Sequence, residues 1–205
     1  MTADGVSMGG PPAEPSSGLL ERVKVQDQSA WERLVRLYSP LVYRWCRQGG
    51  VSAADAADVG QEVFRAVARK VGDFRRDREG DSFCGWLRAI TRSKVCDHLR
   101  VRREQAAATG GSDALTQLQQ VPQPEEASDE GDSPKETRFL YRRAMELIQS
   151  EFEGTTWQAF YRVAVEGQSP ADAAADLGMT VSAVYTAKSR VLRRLRDEFA
   201  DLIEM

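Results

Sequence analysis

Histidine and cysteine are scarce in this chain of 205 residues, which holds one histidine and three cysteines. His98 is the single histidine, so a site built from several imidazoles is excluded, and no cysteine pair has the C-x-x-C spacing of a zinc site. Cys46, Cys84 and Cys96 are odd in number and far apart, as is typical of reduced thiols in a reducing compartment. We therefore predict neither a bound metal nor a disulfide framework.

Long apolar runs are also missing. No stretch approaches the roughly 18 consecutive apolar residues of a membrane span, and residues 1–18 show no basic-then-apolar signal pattern. The sequence also lacks a glycine-rich phosphate loop and a nucleophile elbow, and His98 stands in the basic stretch "DHLR", where a structural role is favoured over catalysis. We expect a cytoplasmic protein that is not an enzyme, with no membrane, cofactor or small-molecule substrate.

Charge is present but uneven. The formal net charge is -3, yet residues 21–104 hold 18 Lys and Arg against 12 Asp and Glu, and residues 105–137 hold 1 against 7. Residues 138–205 hold 9 against 10, but five basic residues and no acidic one lie between Tyr185 and Arg196. Such asymmetry favours a polyanionic partner for the basic parts.

The composition divides the chain into four segments. Residues 1–18 and 105–137 have few bulky apolar side chains to offset the entropy of ordering, so we expect a disordered tail and a flexible acidic linker. The remaining segments, 19–104 and 138–205, show helical periodicity and no alternating strand pattern. The predicted fold is all-α, with two small helical domains joined by the linker.

The first domain is predicted to hold three helices. Apolar residues spaced by three and four indicate one helix from Ala30, in which Pro40 is a candidate bend. A second helix follows Ser52 as a candidate N-cap, and Gly60 weakens it by about 1 kcal/mol relative to alanine. The third, from Phe83 to about residue 104, has an apolar back and a basic front.

The second domain is predicted to hold three or four helices: Phe139 to about Phe152, Thr155 to about Glu166, Pro170 to Leu177, and Val181 to about Leu202. Thr155 and Ser169 are candidate N-caps. The stretch "SPADAAADLGMTVSAVYTAKSRVLRRL" fits a helix-turn-helix, because Ala173 and Ala174 permit a close helix crossing and Gly178 permits a left-handed turn.

The second helix of this motif, capped near Thr180 or Ser182, turns apolar residues inward and polar or cationic residues outward. Such side chains suit a helix in the major groove, where an arginine can bond guanine. The alternative is a solvated basic face on a helical hairpin. The candidate DNA-contacting residues are Ser182, Tyr185, Thr186, Lys188, Ser189, Arg190 and Arg193, with Arg194 and Arg196 continuing the charge.

These motifs resemble bacterial sigma factors. "DAADVGQEVF" is similar to the "DAEDLVQEVF" of sigma region 2, and "SFCGWLRAITRSKVCDHLR" is similar to its "SFRTWLYRIARNLALDHLR". The helix-turn-helix half resembles region 4. Both matches occur in the right order, and the length, without regions 1 and 3, is similar to that of the extracytoplasmic-function (ECF) group.

The resemblance implies partners and roles. It implies binding to core RNA polymerase, through the beta-prime clamp helices and the beta flap, and to promoter DNA, with an anti-sigma factor as a further candidate. The residues placed at the clamp helices are Asp55, Asp58, Gln61, Glu62 and Phe64. The alternative is that Asp55 and Asp58 only stabilise the helix start and Phe64 only fills the core.

The resemblance also assigns reading and melting of the minus-10 element to the first domain and reading of the minus-35 element to the second. The residues implied at the minus-10 element are Arg75, Arg76, Arg88, Arg92 and Lys94. Trp86 is a candidate base-stacking platform, although its spacing favours the core. Gly60, Ser93 and Lys188 depart from the family pattern.

Two other functions stay open at this stage. A helix-turn-helix repressor or activator acting as a homodimer would explain the basic helix and leave the region 2-like half without a role. A sigma-like protein that sequesters a partner would keep the fold and direct no transcription.

Overall fold

The computed structural model describes residues 18–78, 80–108 and 134–202. These residues form helices joined by short loops, and no strand occurs among them, as the sequence predicted. Among the described helices, none is both long enough and apolar enough to cross a membrane. The all-α class is therefore confirmed.

The N-terminal half opens with a short helix that the sequence did not indicate, α1 (Leu19–Lys24), which buries one apolar face. Helix α2 (Gln28–Gln48) begins two residues before the predicted start. Its N-cap is Asp27, whose carboxylate accepts hydrogen bonds from the backbone N–H groups of Ser29 at 2.8 Å and Ala30 at 3.1 Å. Pro40 lies inside α2 without ending it.

Helix α3 (Ala56–Lys70) begins later than predicted. Ser52 is not its N-cap, because the Ser52 hydroxyl accepts from the Asp55 backbone N–H at 3.1 Å and so stabilises a turn ahead of the helix. A single 3-10 turn, Val71–Asp73, and a loop then lead to α4 (Phe83–Ala108).

The expected linker is shorter than its composition indicated. Helix α4 continues through Ala108, and helix α5 (Pro134–Ile148) begins four residues before position 138, so both ends of the 105–137 segment are helical. The prediction of a flexible linker is wrong for these ends. Its middle, with most of the acidic residues, lies outside the described residues, as do residues 1–17 of the expected disordered tail 1–18.

The C-terminal half continues with a 3-10 turn (Gln149–Glu151) and helices α6 (Gly154–Ala164), α7 (Pro170–Leu177) and α8 (Val181–Phe199). The bounds of α7 were predicted from the sequence without error. Thr155 is not an N-cap as predicted, because α6 begins at Gly154 with Glu153 at the cap position.

The two halves share one hydrophobic core. Buried Leu140 and Ile148 of α5 and buried Phe199 of α8 belong to the same cluster as Leu37 and Phe83 of the N-terminal half. A smaller separate cluster lies within the helix-turn-helix. The described residues thus pack as one body, whereas the sequence indicated two separate small domains.

A charge cluster crosses the same boundary. Glu198 of α8 is only 3% exposed, and its carboxylate accepts hydrogen bonds from Arg33 of α2 at 2.8 Å and Arg194 at 2.6 Å. Glu151 binds the same two arginines, with 2.7 Å to Arg194. Burial alone raises the pKa of both carboxyl groups, but the hydrogen bonds from Arg194 and Arg33 outweigh it and hold each pKa below its ordinary value.

Candidate nucleic-acid and polymerase interfaces

The helix-turn-helix is built from local signals. The Ser169 hydroxyl accepts from the Asp172 backbone N–H at 3.1 Å and caps α7, and Pro170 occupies the first helical position. Gly178 ends α7 at a φ of 63°, in the left-handed region that favours glycine. Thr180 rather than Ser182 caps α8, because the Thr180 hydroxyl accepts from the Ala183 backbone N–H at 3.1 Å.

Small side chains hold the motif together. Ala173 and Ala174 of α7 are buried against Val184 and Ala187 of α8 and Ala159 of α6. The absence of bulky side chains at these positions lets the three helices cross closely. The crossing fixes the orientation of α8 and therefore decides which of its residues face outward.

The outward face of α8 forms a shallow hollow. Its lining residues are Val181, Ser182, Tyr185, Thr186, Ser189, Arg190 and Arg193. Tyr185 is 56% exposed, and the exposed Thr186 donates its hydroxyl hydrogen to the Ser182 carbonyl at 3.0 Å. Six of the seven predicted DNA-contacting residues therefore share one surface.

Two cations of α8 lie elsewhere. Lys188 is half-buried and stands beside the hollow without lining it, so the structure separates it from the other predicted contacts. Arg194, which the sequence placed in the same basic run, is bound to Glu151 and Glu198. The run of cations is thus divided between an outward face and an ion-pair cluster with two carboxylates of the C-terminal half.

A second hollow lies between α3 and α4. Asp58, Gln61 and Glu62 line one side of it, and Lys94 and His98 line the other. The Lys94 ammonium lies 3.8 Å from the Asp97 carboxylate. The structure thus brings together three residues predicted at the clamp helices, and Lys94, which was predicted at the minus-10 element, lines the same hollow.

Asp55 lies at the edge of this hollow and has partners within the chain. Its carboxylate accepts a hydrogen bond from Ser52 at 2.7 Å and one from Arg102 at 3.0 Å, and His98 lies 3.6 Å away. The bond from Ser52, followed by the charges of Arg102 and His98, lowers the pKa of Asp55. Asp55 therefore ties the start of α3 to α4.

Phe64, the fifth residue predicted at the clamp helices, packs internally. It is half-buried, and its ring meets Trp31 edge-on at a centroid distance of 6.3 Å. Trp86 is likewise half-buried and packs on Phe74 at 5.2 Å and Phe83 at 5.5 Å. This packing is consistent with the core position that the sequence spacing favoured for Trp86 over a role as a base-stacking platform.

The remaining predicted minus-10 residues have different surroundings. Arg75 and Arg92 are exposed. Arg76 donates to the backbone carbonyl of Asp201, and Arg88 donates to the carboxylate of Glu136. Both acceptors belong to the C-terminal half, and neither contact was indicated by the sequence.

Comparison with known proteins bears on these surfaces. A family model described as Sigma-70 region 2 matches residues 34–105, which run from within α2 to within α4. The chain is 31% identical over 183 residues to the ECF RNA polymerase sigma factor SigD of Mycobacterium tuberculosis, covering 84% of this chain and 78% of SigD. The chain belongs to the ECF sigma-factor family. The resemblance found in the sequence motifs is thereby confirmed.

A further relative is similar over most of the length of this ECF sigma factor. The chain is 30% identical over 179 residues to the ECF RNA polymerase sigma factor BldN of Streptomyces coelicolor, covering 86% of this chain and 63% of BldN. A chain of the solved structure of CnrH in complex with the cytosolic domain of CnrY matches with a TM-score of 0.36 at 25% identity, covering 86% of this chain and 92% of the matched chain.

Proposed function

We propose that this ECF sigma factor binds core RNA polymerase and directs promoter-specific transcription initiation. In this proposal α8 reads the minus-35 element, and the N-terminal half reads and melts the minus-10 element. The observation that carries the proposal is the presence of two separate exposed faces in one chain. One is the polar hollow of α3 and α4, and the other is the hydrogen-bonding, cationic face of α8.

The α3 side of the α3–α4 hollow is the proposed contact with the beta-prime clamp helices. Asp58, Gln61 and Glu62 are exposed and adjacent, and carboxylates on a helix face complement a basic coiled coil. Asp55 and Phe64 act indirectly in this arrangement. Asp55 fixes the start of α3 against α4, and Phe64 packs α3 on Trp31.

The proposed contact with the beta flap is a groove between α5 and α6. Its lining combines apolar side chains, such as Met145 and Trp157, with basic and acidic ones, such as Arg142 and Glu146. Tyr161 is 39% exposed and Val165 is 46% exposed at its rim. A helix with one apolar face would bury that face in such a groove.

DNA recognition is divided between the halves. Arg190 and Arg193 on the α8 hollow carry forked donors for guanine or phosphate, and Ser182 and Ser189 carry hydroxyl groups for base edges. Arg75 and Arg92 are exposed cations that would follow a single-stranded backbone after melting. Because both halves belong to one chain, the second contact becomes intramolecular once the first is made.

The test is reconstitution of the purified chain with core RNA polymerase on a library of genomic fragments. Initiation from a defined subset of fragments, each with two elements at a fixed spacing, is the expected result. Absence of both initiation and core binding would refute the proposal. A stable dimer that binds a palindrome without polymerase would establish a conventional repressor or activator in its place.

An anti-sigma factor is the remaining proposed partner. Core binding with no initiation from any fragment would point instead to a sequestering protein. Addition of a candidate anti-sigma factor to the reconstituted reaction should abolish initiation and core binding together, because an anti-sigma factor and the polymerase compete for the same chain.

A further inference from the structure

The strongest unexplained feature is the set of contacts around Glu136. This residue lies in the first turn of α5, and its side chain is only 13% exposed. Its carboxylate accepts a hydrogen bond from the Trp45 indole Nε1 at 2.7 Å and another from Arg88, and the Arg44 guanidinium lies 3.7 Å away. Three donors of the N-terminal half therefore converge on one carboxylate of the C-terminal half.

The same donors are suited to nucleic acid. Arginine binds carboxylate and phosphate oxygens with the same planar fork. The Arg88 guanidinium also lies over the Trp45 ring at 5.1 Å, and an arginine paired with an aromatic ring is a frequent element of single-strand binding surfaces. In chemical terms, the Glu136 carboxylate takes the place of a backbone phosphate on Arg88.

A second contact joins the segment after α8 to the loop before α4. Arg76 donates to the backbone carbonyl of Asp201, and the Tyr38 hydroxyl donates to the Leu202 carbonyl at 3.2 Å. The segment after α8 therefore contacts another predicted minus-10 residue, Arg76, which is itself exposed. The α8 hollow and the α3–α4 hollow, in contrast, keep their exposed lining residues.

We propose that the C-terminal half is an intramolecular competitor of the minus-10 strand. We call the conformation in which the two halves are in contact the closed chain. In it the Glu136 carboxylate binds Arg88, and the Asp201 backbone carbonyl binds Arg76. The surfaces proposed for the clamp helices and the minus-35 element remain exposed. This inference rests on the proposed function, because it requires Arg88 to be a nucleic-acid contact. The closed chain can then bind polymerase, and opening is needed before the melted strand is held.

The competition does not require a strong interface. Contact between the halves is intramolecular, so an interface too weak to hold two separate molecules is still occupied. The contact consists of the shared apolar core together with the Glu136 and Glu198 clusters. A single-stranded DNA that supplies phosphates to Arg88 must displace Glu136, and its apparent affinity for the free chain is lowered accordingly.

The test measures binding of fluorescein-labelled oligothymidylate to the free full-length chain by fluorescence anisotropy. Glu136→Gln keeps an oxygen that accepts from Trp45 but removes the charge that holds Arg88. We expect binding to tighten by about 3- to 10-fold, with the slope of log affinity against log salt steeper by about 0.7, as for one added phosphate contact on a single strand. Glu153→Gln is the matched control, since it removes the same charge from an exposed position of the C-terminal half, and its affinity should stay within about twofold of wild type.

Small-angle X-ray scattering tests whether the two halves are in contact. The wild-type chain should be compact, and Glu136→Gln combined with Glu198→Gln should increase the radius of gyration, with circular dichroism showing that the helices are retained.

The binding experiment distinguishes failure of this inference from failure of the proposed function. Equal oligothymidylate affinity and salt slope for wild type and Glu136→Gln would overturn the competition. If Glu136→Gln tightens binding and adding Arg88→Ala does not reverse it, the minus-10 role of Arg88 is wrong, and the inference fails together with that part of the proposed function.

Discussion

The carboxylate of Glu198 accepts a hydrogen bond from the guanidinium of Arg33 at 2.8 Å, across 165 positions of sequence. Glu198 lies on the last turns of α8, and Arg33 lies on α2, so this bond joins the proposed minus-35 reader to the proposed polymerase-binding half. Arg194 donates to the other oxygen of the same carboxylate at 2.6 Å. A buried carboxylate between two arginines satisfies three charges that would be costly to bury alone.

Loss of this carboxylate should destabilise the chain. Glu198→Gln leaves Arg33 and Arg194 with Glu151 as their shared anion, and we expect the free energy of unfolding to fall by about 2–4 kcal/mol. Urea denaturation followed by circular dichroism measures the change. Glu32→Gln, which removes an exposed carboxylate of α2, is the control and should change the free energy of unfolding by less than about 0.5 kcal/mol.

The same cluster predicts the direction of the pH dependence. The pKa values of Glu198 and Glu151 are lower in the folded chain than the ordinary glutamate value of 4.5, so the folded state binds fewer protons than the unfolded state at acid pH. Their contribution is therefore complete above about pH 5 and is lost as the pH falls through the lowered values.

Wild type and Glu198→Gln compared at several pH values provide the measurement. Their difference in the free energy of unfolding should be largest near neutral pH and should shrink on acidification toward about pH 3. A difference that grows on acidification would mean that burial outweighs the arginine hydrogen bonds and that the pKa of Glu198 is raised.

Local signals predicted the bounds of α7 and the start of α8 well. The Ser169 cap, the left-handed Gly178 and the buried Val184 each depend on residues within one or two turns, and the structure contains all three. The start of α3 was placed too early because the Ser52 hydroxyl forms the same type of hydrogen bond in a turn as at an N-cap.

Contacts between distant segments were beyond the reach of such signals. Helical periodicity identifies an apolar face but not the face that it meets, so the shared core of the two halves could not be predicted. Glu136 was assigned to the linker because its neighbours are acidic and poor in apolar residues, yet its half-buried carboxylate binds Arg88. Arg194 was misplaced for a related reason, since charge alone does not reveal the buried carboxylate opposite it.

Gly60 is a position where the chain should gain stability. It lies inside α3, and a Cβ atom there would approach Val42 Cγ1 at 3.9 Å, which is ordinary van der Waals contact. Gly60→Ala should therefore raise the free energy of unfolding by about 0.5–1 kcal/mol in urea denaturation, because alanine restricts the unfolded chain and favours the helix.

Gly178→Ala makes the same substitution as Gly60→Ala at a position with left-handed backbone and should have the opposite effect on the free energy of unfolding. Nothing lies within 4 Å of its added Cβ, but the φ of 63° is strained for alanine, and we expect a loss of about 1 kcal/mol. Equal effects of the two substitutions would show that backbone conformation does not decide them.

The polymerase-binding surface is tested by charge reversal at Glu62. This side chain is exposed on the α3 side of the hollow, so Glu62→Lys should keep the fold and weaken binding to core RNA polymerase by about tenfold or more through repulsion of a basic coiled coil. Competition binding against a labelled wild-type chain measures the effect. Glu32→Lys makes the same charge change on exposed α2 outside the hollow and should bind core normally, and equal binding by both variants would remove α3 from the interface.

Arg190 tests the assignment of the α8 face. Its guanidinium lines the hollow together with Tyr185 and Ser189, where a bidentate contact to guanine discriminates by about 1–3 kcal/mol. On a promoter selected by reconstitution, Arg190→Ala should reduce the preference for the native upstream element over a scrambled one by about 5- to 150-fold and leave core binding unchanged. Arg196→Ala removes an exposed cation of the same helix outside the hollow, so it should weaken both templates equally, as loss of a phosphate contact does. If Arg190→Ala instead impairs core binding, the outward face of α8 contacts polymerase and the reading face has been misassigned.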